Sequence, residues 1–178
     1  MAKVFIDGAA GTTGLQIHQL LQARPDITVI EIPSEHRKDI GARRAAFAEA
    51  DVAILCLPDA AAIEAVSVAG ETRLIDASTA HRVDPDWVYG MPELPGAKEA
   101  IAQAQRVANV GCYATGAISL IRPLREAGLI AEDANMVLTG VSGYSGGGKS
   151  LIAEYEPDAT APPHFLDWLL MQHLFGQP

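Results

Sequence analysis

The sequence predicts an α/β fold, a doubly wound parallel sheet with helices on both faces, and three observations indicate it. Short apolar runs typical of strands alternate along the chain with helical segments. One run, Val52 to Leu57, is almost wholly apolar, as expected of a strand covered on both faces. The first strand is joined to the first helix by a glycine-rich turn. A chain of 178 residues can bury a substantial core without a disulfide or a metal.

The predicted elements follow in order as right-handed βαβ units. Strands are predicted at Lys3 to Asp7, Ile27 to Ile32, Val52 to Leu57, Arg73 to Asp76, Arg106 to Val110 and Asn135 to Ser142. Helices are predicted from about Leu15 to before Pro25, His36 to Ala50, Asp59 to near Gly70, and after Gly116 to about Ala127. The segment from Asp84 to Ala97 is rich in Pro, Trp and Tyr and lacks a period, which predicts a long ordered loop.

Two domains are expected. Residues 1–110 hold the alternating strands and helices of a Rossmann-like unit. Residues 111–178 are expected to form an incomplete α+β catalytic domain, because only one convincing strand follows residue 110. A single strand leaves its edges unpaired, which makes association into a homo-oligomer plausible.

Composition and charge exclude several classes of function. The chain has 22 acidic and 13 basic residues and a formal net charge of −9, which repels a phosphate backbone and argues against a nucleic-acid partner. A small anionic ligand in a local basic pocket remains allowed. Two cysteines make no disulfide framework, and none of the five histidines stands at zinc-ligand spacing, so no metal is expected.

The chain also lacks the features of a membrane or exported protein. No apolar run approaches the roughly 18 residues that span a bilayer. The first residues run directly into a short strand rather than into a signal peptide. We therefore expect a soluble, cytoplasmic protein.

The first glycine loop predicts a dinucleotide site. Its pattern is Gly8-x-x-Gly11-x-x-Gly14, with Thr12 and Thr13 inside it, between the first strand and the first helix. Glycines there permit a tight turn and let backbone N–H groups approach a pyrophosphate at the positive end of the helix. The alternative is a strand-to-helix turn that binds nothing.

The residues after the second strand favour NADP over NAD. An NAD site has an acidic residue at the end of this strand, about 20 residues beyond the loop. That place holds Pro33 and Ser34, with Arg37 and Lys38 close behind, whereas Glu31 lies earlier and is expected to face elsewhere. A hydroxyl and two cations suit a 2′-phosphate. Alternatively, the two cations mark a solvated helix start.

A second glycine-rich segment matches the P-loop pattern, as Gly143-x-x-x-x-Gly148-Lys149-Ser150. A P-loop also needs a long helix behind it and a neighbouring strand that ends in an acidic residue. Only residues 151–156 are available before Pro157. An anion site for a small molecule is favoured, and a P-loop nucleotide enzyme remains the alternative.

Cys112 is the candidate nucleophile. It follows a predicted strand, has Gly111 beside it and stands just before a helix, whose N-terminal field stabilises a thiolate. Cys56, inside the third strand, is interpreted as a small buried hydrophobic residue. A nucleophilic cysteine beside a dinucleotide fold suggests thioester formation followed by hydride delivery. A packed structural cysteine is the alternative for Cys112.

Five segments together resemble the second, shorter type of N-acetyl-gamma-glutamyl-phosphate reductase, over about residues 1–163. They are GAAGTTG at 8–14, DASTAHR at 76–82, YGMPEL at 89–94, NVGCYATG at 109–116 and GVSGYSGGGK at 140–149. The resemblance implies NADPH-dependent reduction of N-acetylglutamyl 5-phosphate to its semialdehyde, a step of arginine biosynthesis, with Cys112 attacking the acyl phosphate. Aspartate-semialdehyde dehydrogenase is the nearest relative in mechanism, and residue physics alone leaves the acyl substrate open.

The resemblance also implies further site residues. It places Leu57, Pro58 and Ser78 at the cofactor. It places the following residues at the substrate: Asn109, Ser142, Gly143, Tyr144, Gly146 and Lys149.

Beyond Pro163 the sequence departs from that family. The His-x-His-x-Pro-Glu-like motif that supplies its acid/base histidine is not found, and His164 and His173 are weak substitutes. Apolar side chains of the segment 165–175 are expected to cover the exposed surface or to bind a partner. A truncated, non-catalytic NADP-binding protein is therefore the second hypothesis.

Overall fold

The computed structural model describes residues 1–155, without the side chains of residue 12 and residues 147–150. Six strands form one sheet in the order β2-β1-β3-β4-β6-β5, and every neighbouring pair is parallel. The strands are β1 Ala2–Asp7, β2 Ile27–Ile30, β3 Val52–Leu55, β4 Arg73–Asp76, β5 Val88–Gly90 and β6 Arg106–Asn109. The predicted α/β fold with a Rossmann-like parallel sheet is confirmed.

Helices connect these strands. They are α1 Thr12–Gln22, α2 Ile40–Glu49, α3 Asp59–Val68, α4 Ala97–Gln103, α5 Cys112–Glu126 and α6 Gly148–Tyr155, with 3₁₀ turns at Ser34–His36 and Tyr144–Gly147. Helix α2 begins four residues later than predicted, because the Asp39 carboxylate accepts a hydrogen bond of 2.6 Å from the Ala42 N–H and caps the helix there.

Two secondary-structure predictions are wrong: the loop expected from Asp84 to Ala97 and the start of the helix that follows Val110. The segment expected to be a loop contains β5, whose Tyr89 pairs with Ala108 of β6. Three residues among prolines and glycines are too few to show a strand period. Helix α5 begins at Cys112 itself, so the cysteine lies in the first turn rather than before the helix.

The strand predicted at 135–142 does not form in the described chain. Residues 135–143 have no regular structure, and Val137 and Leu138 are 92% and 62% exposed. An apolar, β-branched segment forms a strand only where a neighbouring strand pairs with its backbone, and no strand of the described residues does so. The expected sheet of an α+β domain is therefore not found in residues 111–155.

Two compact units are distinguished: residues 1–136 form the first, and the second begins at Val137. The predicted domain boundary after residue 110 stays a prediction. None of the helices in the described residues is long and apolar enough to cross a bilayer.

The core of the first unit packs helices against the sheet through small and aromatic side chains. Ala53 and Ala65 are fully buried, which allows α3 to approach β3 closely. The Phe47 ring of α2 is also fully buried and meets Phe5 of β1 edge-on, with 5.0 Å between ring centroids.

A buried ion pair fixes the end of β1. Arg43 of α2 donates from Nε and Nη2 to Oδ2 of Asp7, at 3.1 and 2.8 Å, and from Nη1 to Glu64 of α3 at 2.9 Å. Burial raises the pKa of Asp7, and the hydrogen bonds and charge of Arg43 offset part of that rise. The network ties two helices to the last residue of β1, where the glycine loop begins.

The core predicts one stability result. Phe47→Ala should lower the free energy of unfolding by about 3–5 kcal/mol, because it removes a fully buried ring and leaves a cavity. Leu20→Ala, at a side chain that is 70% exposed, should change it by about 0.5 kcal/mol or less. Urea unfolding followed by circular dichroism measures both, and equal losses would contradict the assigned core.

Candidate active site: a cavity at the sheet edge and an exposed cysteine

A cavity of about 480 Å³ lies at the carboxyl ends of β1, β2 and β3. The chain winds from β1 outward to β2 and then returns to β3 on the other side of β1. This reversal of strand order is the place where open α/β sheets bind ligands. The cavity is lined by the loop after β1, the first half of α1, the end of β2, Arg37 and Leu57.

The glycine loop is built on close backbone contacts. Gly8 has φ of +90°, and a Cβ at this position would lie 2.2 Å from the carbonyl oxygen of Cys56. The Gly11 N–H donates to the Gly8 carbonyl at 2.9 Å. A Cβ at Gly14 would lie 2.3 Å from that same carbonyl oxygen. The three glycines therefore fold the loop tightly against the end of β3 and start α1 there.

The threonines of the loop differ in what the structure shows of them. Helix α1 begins at Thr12, whose side chain lies outside the described atoms, and Thr13 is exposed in the first turn. The N–H groups of this turn carry the partial positive charge of the helix end. Such a helix start is suited to a phosphate group.

The predicted 2′-phosphate residues are only partly brought to the cavity. Arg37 lines it. Ser34 opens the 3₁₀ turn, and its hydroxyl donates to the Glu35 carboxylate at 3.1 Å. Lys38 is exposed and is not part of the cavity lining.

The expectation that Glu31 faces elsewhere is wrong. Strand β2 ends at Ile30, two residues earlier than predicted, so Glu31 is the first residue beyond the carboxyl end and lines the cavity. Its Oε1 lies 2.8 Å from Nε2 of His18 in α1, and Gln22 donates to the same oxygen at 3.4 Å. Both His18 and Arg37 line this cavity as well.

Of the three cofactor residues implied after β3 and β4, only one lines the cavity. Leu57 lines the cavity and packs near Gly8. Pro58 caps α3, and its carbonyl accepts the Ala62 N–H at 2.9 Å. Ser78 is buried, and its hydroxyl donates to Oδ2 of Asp76 at 2.6 Å, so the structure brings it to Asp76 rather than to the cavity lining.

Asp76 organises a buried cluster that sequence reasoning did not identify. Its carboxylate is fully buried and also accepts from the Ser78 N–H at 2.9 Å, while Nδ1 of His81 lies 2.6 Å from Oδ2. The His81 ring stacks on Trp87 with 4.2 Å between centroids. The signal available in the sequence was the spacing Asp-x-Ser-x-x-His directly after a strand.

Arg82, next to this cluster, holds the segment that carries the cysteine. Its Nε donates to the Asn109 carbonyl at 3.0 Å and its Nη2 to the Ala77 carbonyl at 3.1 Å. A Cβ at Gly111 would lie 2.7 Å from Nη1 of Arg82, so a larger residue here would displace the guanidinium. The charge of Arg82 therefore lies against the residue before Cys112.

Cys112 is exposed at the first position of α5. Both the N–H and the hydroxyl of Thr115 donate to the Gly111 carbonyl, at 2.8 and 2.9 Å, which closes the first turn. The helix N-terminus and the guanidinium against Gly111 both place positive charge near this position. Because β6 is parallel to β1, Cys112 follows the same carboxyl edge of the sheet as the glycine loop.

Cys56, unlike Cys112, is largely buried. It is only partly exposed, and burial, with the charges of Asp7 and Asp76 as smaller causes, raises the pKa of its thiol to about 11. This thiol is therefore protonated at neutral pH and unreactive.

The second glycine segment does not have the form of a P-loop. Residues 135–143 before it form no strand, and residues 144–147 form a 3₁₀ turn in which the Gly146 N–H donates to the Gly143 carbonyl at 2.9 Å. Helix α6 follows and covers eight residues up to Tyr155, the last residue that the structure describes. The Ser142 hydroxyl packs near Gly146, and the Tyr144 ring stacks on Tyr155 with 5.6 Å between centroids.

Several predicted residues remain outside what the structure can place. The side chain of Lys149, both candidate histidines His164 and His173, and the apolar segment 165–175 lie outside the described residues. The described residues hold no cluster of three or more His, Cys, Asp or Glu side chains suited to a metal ion.

Two family models match the chain. Residues 3–104 match the model of the semialdehyde dehydrogenase NAD binding domain, and residues 112–165 match that of the semialdehyde dehydrogenase dimerisation domain. The chain belongs to the semialdehyde dehydrogenase family.

Within that family, the chain is similar to curated N-acetyl-gamma-glutamyl-phosphate reductases. It is 53% identical to those of Brucella canis and Brucella suis over 96% of its length, and it spans 58% of the length of each relative. Aspartate semialdehyde dehydrogenases share its fold. That of Vibrio cholerae (enzyme II) has a TM-score of 0.61 at 18% identity, covering 88% of this chain and 51% of that one. That of Francisella tularensis has a TM-score of 0.60 at 16% identity, covering 87% and 48%.

The glycine contacts predict a loss of dinucleotide binding. Gly14→Ala should abolish measurable binding of NADPH and NADH, because the new Cβ would collide with the Gly8 carbonyl and displace the loop. Gly116→Ala, where a Cβ meets nothing within 4 Å, is the matched control and should bind as the wild type does. Fluorescence titration measures binding, and a folded Gly14→Ala protein with unchanged affinity would contradict the assignment.

The two thiols should differ in their reaction with iodoacetamide. At pH 8, Cys112 should be alkylated while Cys56, whose pKa is about 11, exposes roughly one thiolate in a thousand. The rate at Cys56 should rise about tenfold per pH unit until the pH approaches that pKa. Peptide mass spectrometry separates the two sites, with Cys56→Ser and Cys112→Ser as controls. Equal labelling of both at pH 8 would refute the difference.

Proposed function

We propose that this chain carries out NADPH-dependent reduction of N-acetylglutamyl 5-phosphate to N-acetylglutamate 5-semialdehyde. The observation that carries the proposal is the sharing of one sheet edge by a dinucleotide-type cavity and an exposed cysteine that begins a helix. The names of the curated relatives, which the chain matches over part of their length, supply the acyl substrate.

The residues around the cavity fit a nicotinamide dinucleotide. The loop from Gly8 to Gly11 carries only the methyl groups of Ala9 and Ala10 before the start of α1, where a pyrophosphate would bind, and Leu57 offers an apolar wall. Arg37 provides a cation for a 2′-phosphate, with Ser34 and Lys38 nearby in sequence. The Ser78 hydroxyl supports the loop after β4 through Asp76.

Cys112 performs the covalent chemistry. Its thiolate Sγ forms a bond to the acyl carbon, and the carbon–oxygen bond to phosphate breaks with its electron pair leaving on phosphate. When bound, the reduced nicotinamide supplies the hydride that turns the thioester into a hemithioacetal. Collapse of the hemithioacetal breaks the carbon–sulfur bond, releases the aldehyde and returns the thiolate.

The residues around Cys112 position it. Arg82 anchors the backbone of Asn109, and its guanidinium lies against Gly111, so the segment between β6 and α5 is held with a positive charge at the residue before Cys112. Asn109 is exposed at the end of β6 and is proposed to contact substrate. The same role is proposed for the residues of the second glycine segment: Ser142, Gly143, Tyr144, Gly146 and Lys149.

Partners and location follow from the same proposal. The match to a dimerisation domain supports a homo-oligomer, and a small-molecule acyl phosphate is the substrate. The reaction belongs to amino-acid biosynthesis, for which we propose the cytoplasm as the compartment.

The reverse reaction provides the test. The wild-type chain should reduce NADP⁺ when given N-acetylglutamate 5-semialdehyde and phosphate, and the absorbance of NADPH at 340 nm records it. Cys112→Ser should lose this activity because it lacks the nucleophile, whereas Cys56→Ser should keep it.

The outcomes distinguish a reductase from a protein that only binds the cofactor. Turnover that depends on Cys112 supports the reductase. Binding of NADPH without turnover favours the second hypothesis, a non-catalytic NADP-binding protein. Turnover that survives Cys112→Ser would contradict the proposed chemistry.

A further inference from the structure

One charged side chain in the cavity is not used by the proposed function. Glu31 is the first residue after β2 and lines the same cavity as the glycine loop. An acidic residue at the end of the second strand of such a fold accepts a hydrogen bond from the ribose 2′-hydroxyl of NAD. A carboxylate at this place repels a 2′-phosphate.

The Glu31 carboxylate is anchored rather than free to turn away. Oε1 meets His18 Nε2 at 2.8 Å and the Gln22 side chain at 3.4 Å, so two positions one helical turn apart on α1 hold it from the same side. The Glu31 side chain is still 63% exposed, compared with 22% for His18. It therefore remains open to a ligand in the cavity.

A group of opposite charge lines the same cavity. Arg37 lies six residues further along the chain, beyond the 3₁₀ turn, and is exposed. A guanidinium binds a 2′-phosphate, and a carboxylate binds a 2′-hydroxyl. The two groups therefore favour different dinucleotides. Asp7, the other acidic group in the lining, is buried and bonded to Arg43, so it does not enter this balance.

We propose that Glu31, anchored by His18, determines the cofactor specificity of this site and makes it accept NADH beside NADPH. The proposal rests on the proposed function, because it assumes that the cavity binds a nicotinamide dinucleotide. Glu31 supplies an acceptor for the 2′-hydroxyl of NADH and, by its charge, weakens the hold of Arg37 on the 2′-phosphate of NADPH.

The experiment measures dissociation constants of NADH and NADPH by calorimetry, with no turnover required. The wild type should bind both, with constants within about tenfold of each other. Glu31→Gln keeps the shape of the side chain and removes its charge. The ratio of the NADH to the NADPH dissociation constant should rise by at least about tenfold, which is the effect expected from the loss of one hydrogen bond to a charged group.

Two further variants make the test specific. Glu49→Gln makes the same change of charge at the end of α2, at a side chain that bonds Lys3 outside the cavity lining, and should leave the ratio within about twofold of the wild type. His18→Phe removes the anchor and leaves the Glu31 charge, so it should weaken NADH binding. Thermal unfolding confirms that each variant is folded.

The outcomes separate this inference from the proposed function. If both dinucleotides bind and Glu31→Gln leaves the ratio unchanged, or if Glu49→Gln shifts it equally, the role of Glu31 is overturned and the proposed function stands. If neither dinucleotide binds to the wild type, the proposed function itself fails. A shift confined to Glu31→Gln and His18→Phe supports the inference.

Discussion

The contact between Gly8 and the Cys56 carbonyl is the constraint on which the site depends. It closes the loop after β1 against the end of β3, where the order of the sheet reverses. Any side chain at Gly8 would separate the two loops, and φ of +90° independently disfavours other residues. The buried pair of Asp7 and Arg43 sets the end of β1 one residue earlier. The contacts of Asp7 and Gly8 therefore fix the end of β1, the start of α1 and the cavity between them.

The parallel sheet then determines where the candidate site residues lie. All six strands point the same way, so the loops that follow them meet at one edge. This edge receives both the dinucleotide-type cavity and the start of α5. Arg82 connects the loop after β4 to the end of β6, which places a guanidinium beside Gly111, the residue before Cys112. The segment that carries the proposed nucleophile is therefore held through hydrogen bonds to its backbone.

The sequence correctly predicted the elements whose structure depends on residues close together along the chain. The run from Val52 to Leu57 needed only its hydrophobicity to be assigned as a buried strand, and the glycine loop needed only its spacing and context. Features that depend on distant partners could not be predicted in this way. The strand expected at 135–142 lacks a neighbour, and the short β5 exists because β6 pairs with it.

The candidate site shows the same division. Cys112 and Gly111 were found from their neighbours along the chain. Glu31 was misplaced because the end of β2 was predicted two residues too late, and its contact with His18 is a tertiary one. The role of Arg82 likewise depends on the Asn109 carbonyl, 27 residues away, which no periodicity reveals.

Hydrogen–deuterium exchange of the whole chain with and without NADPH tests the central claim most directly. The account predicts that the cofactor slows exchange at residues 7–15, 29–38 and 56–58, around the cavity. The segment 67–72 runs from the end of α3 to the start of β4, at the edge of the sheet opposite the cavity, and serves as an internal reference. Its exchange rate should be the same with and without NADPH. Protection centred on residues 143–150 with none at the first glycine loop would contradict the account and move the nucleotide to the second glycine segment.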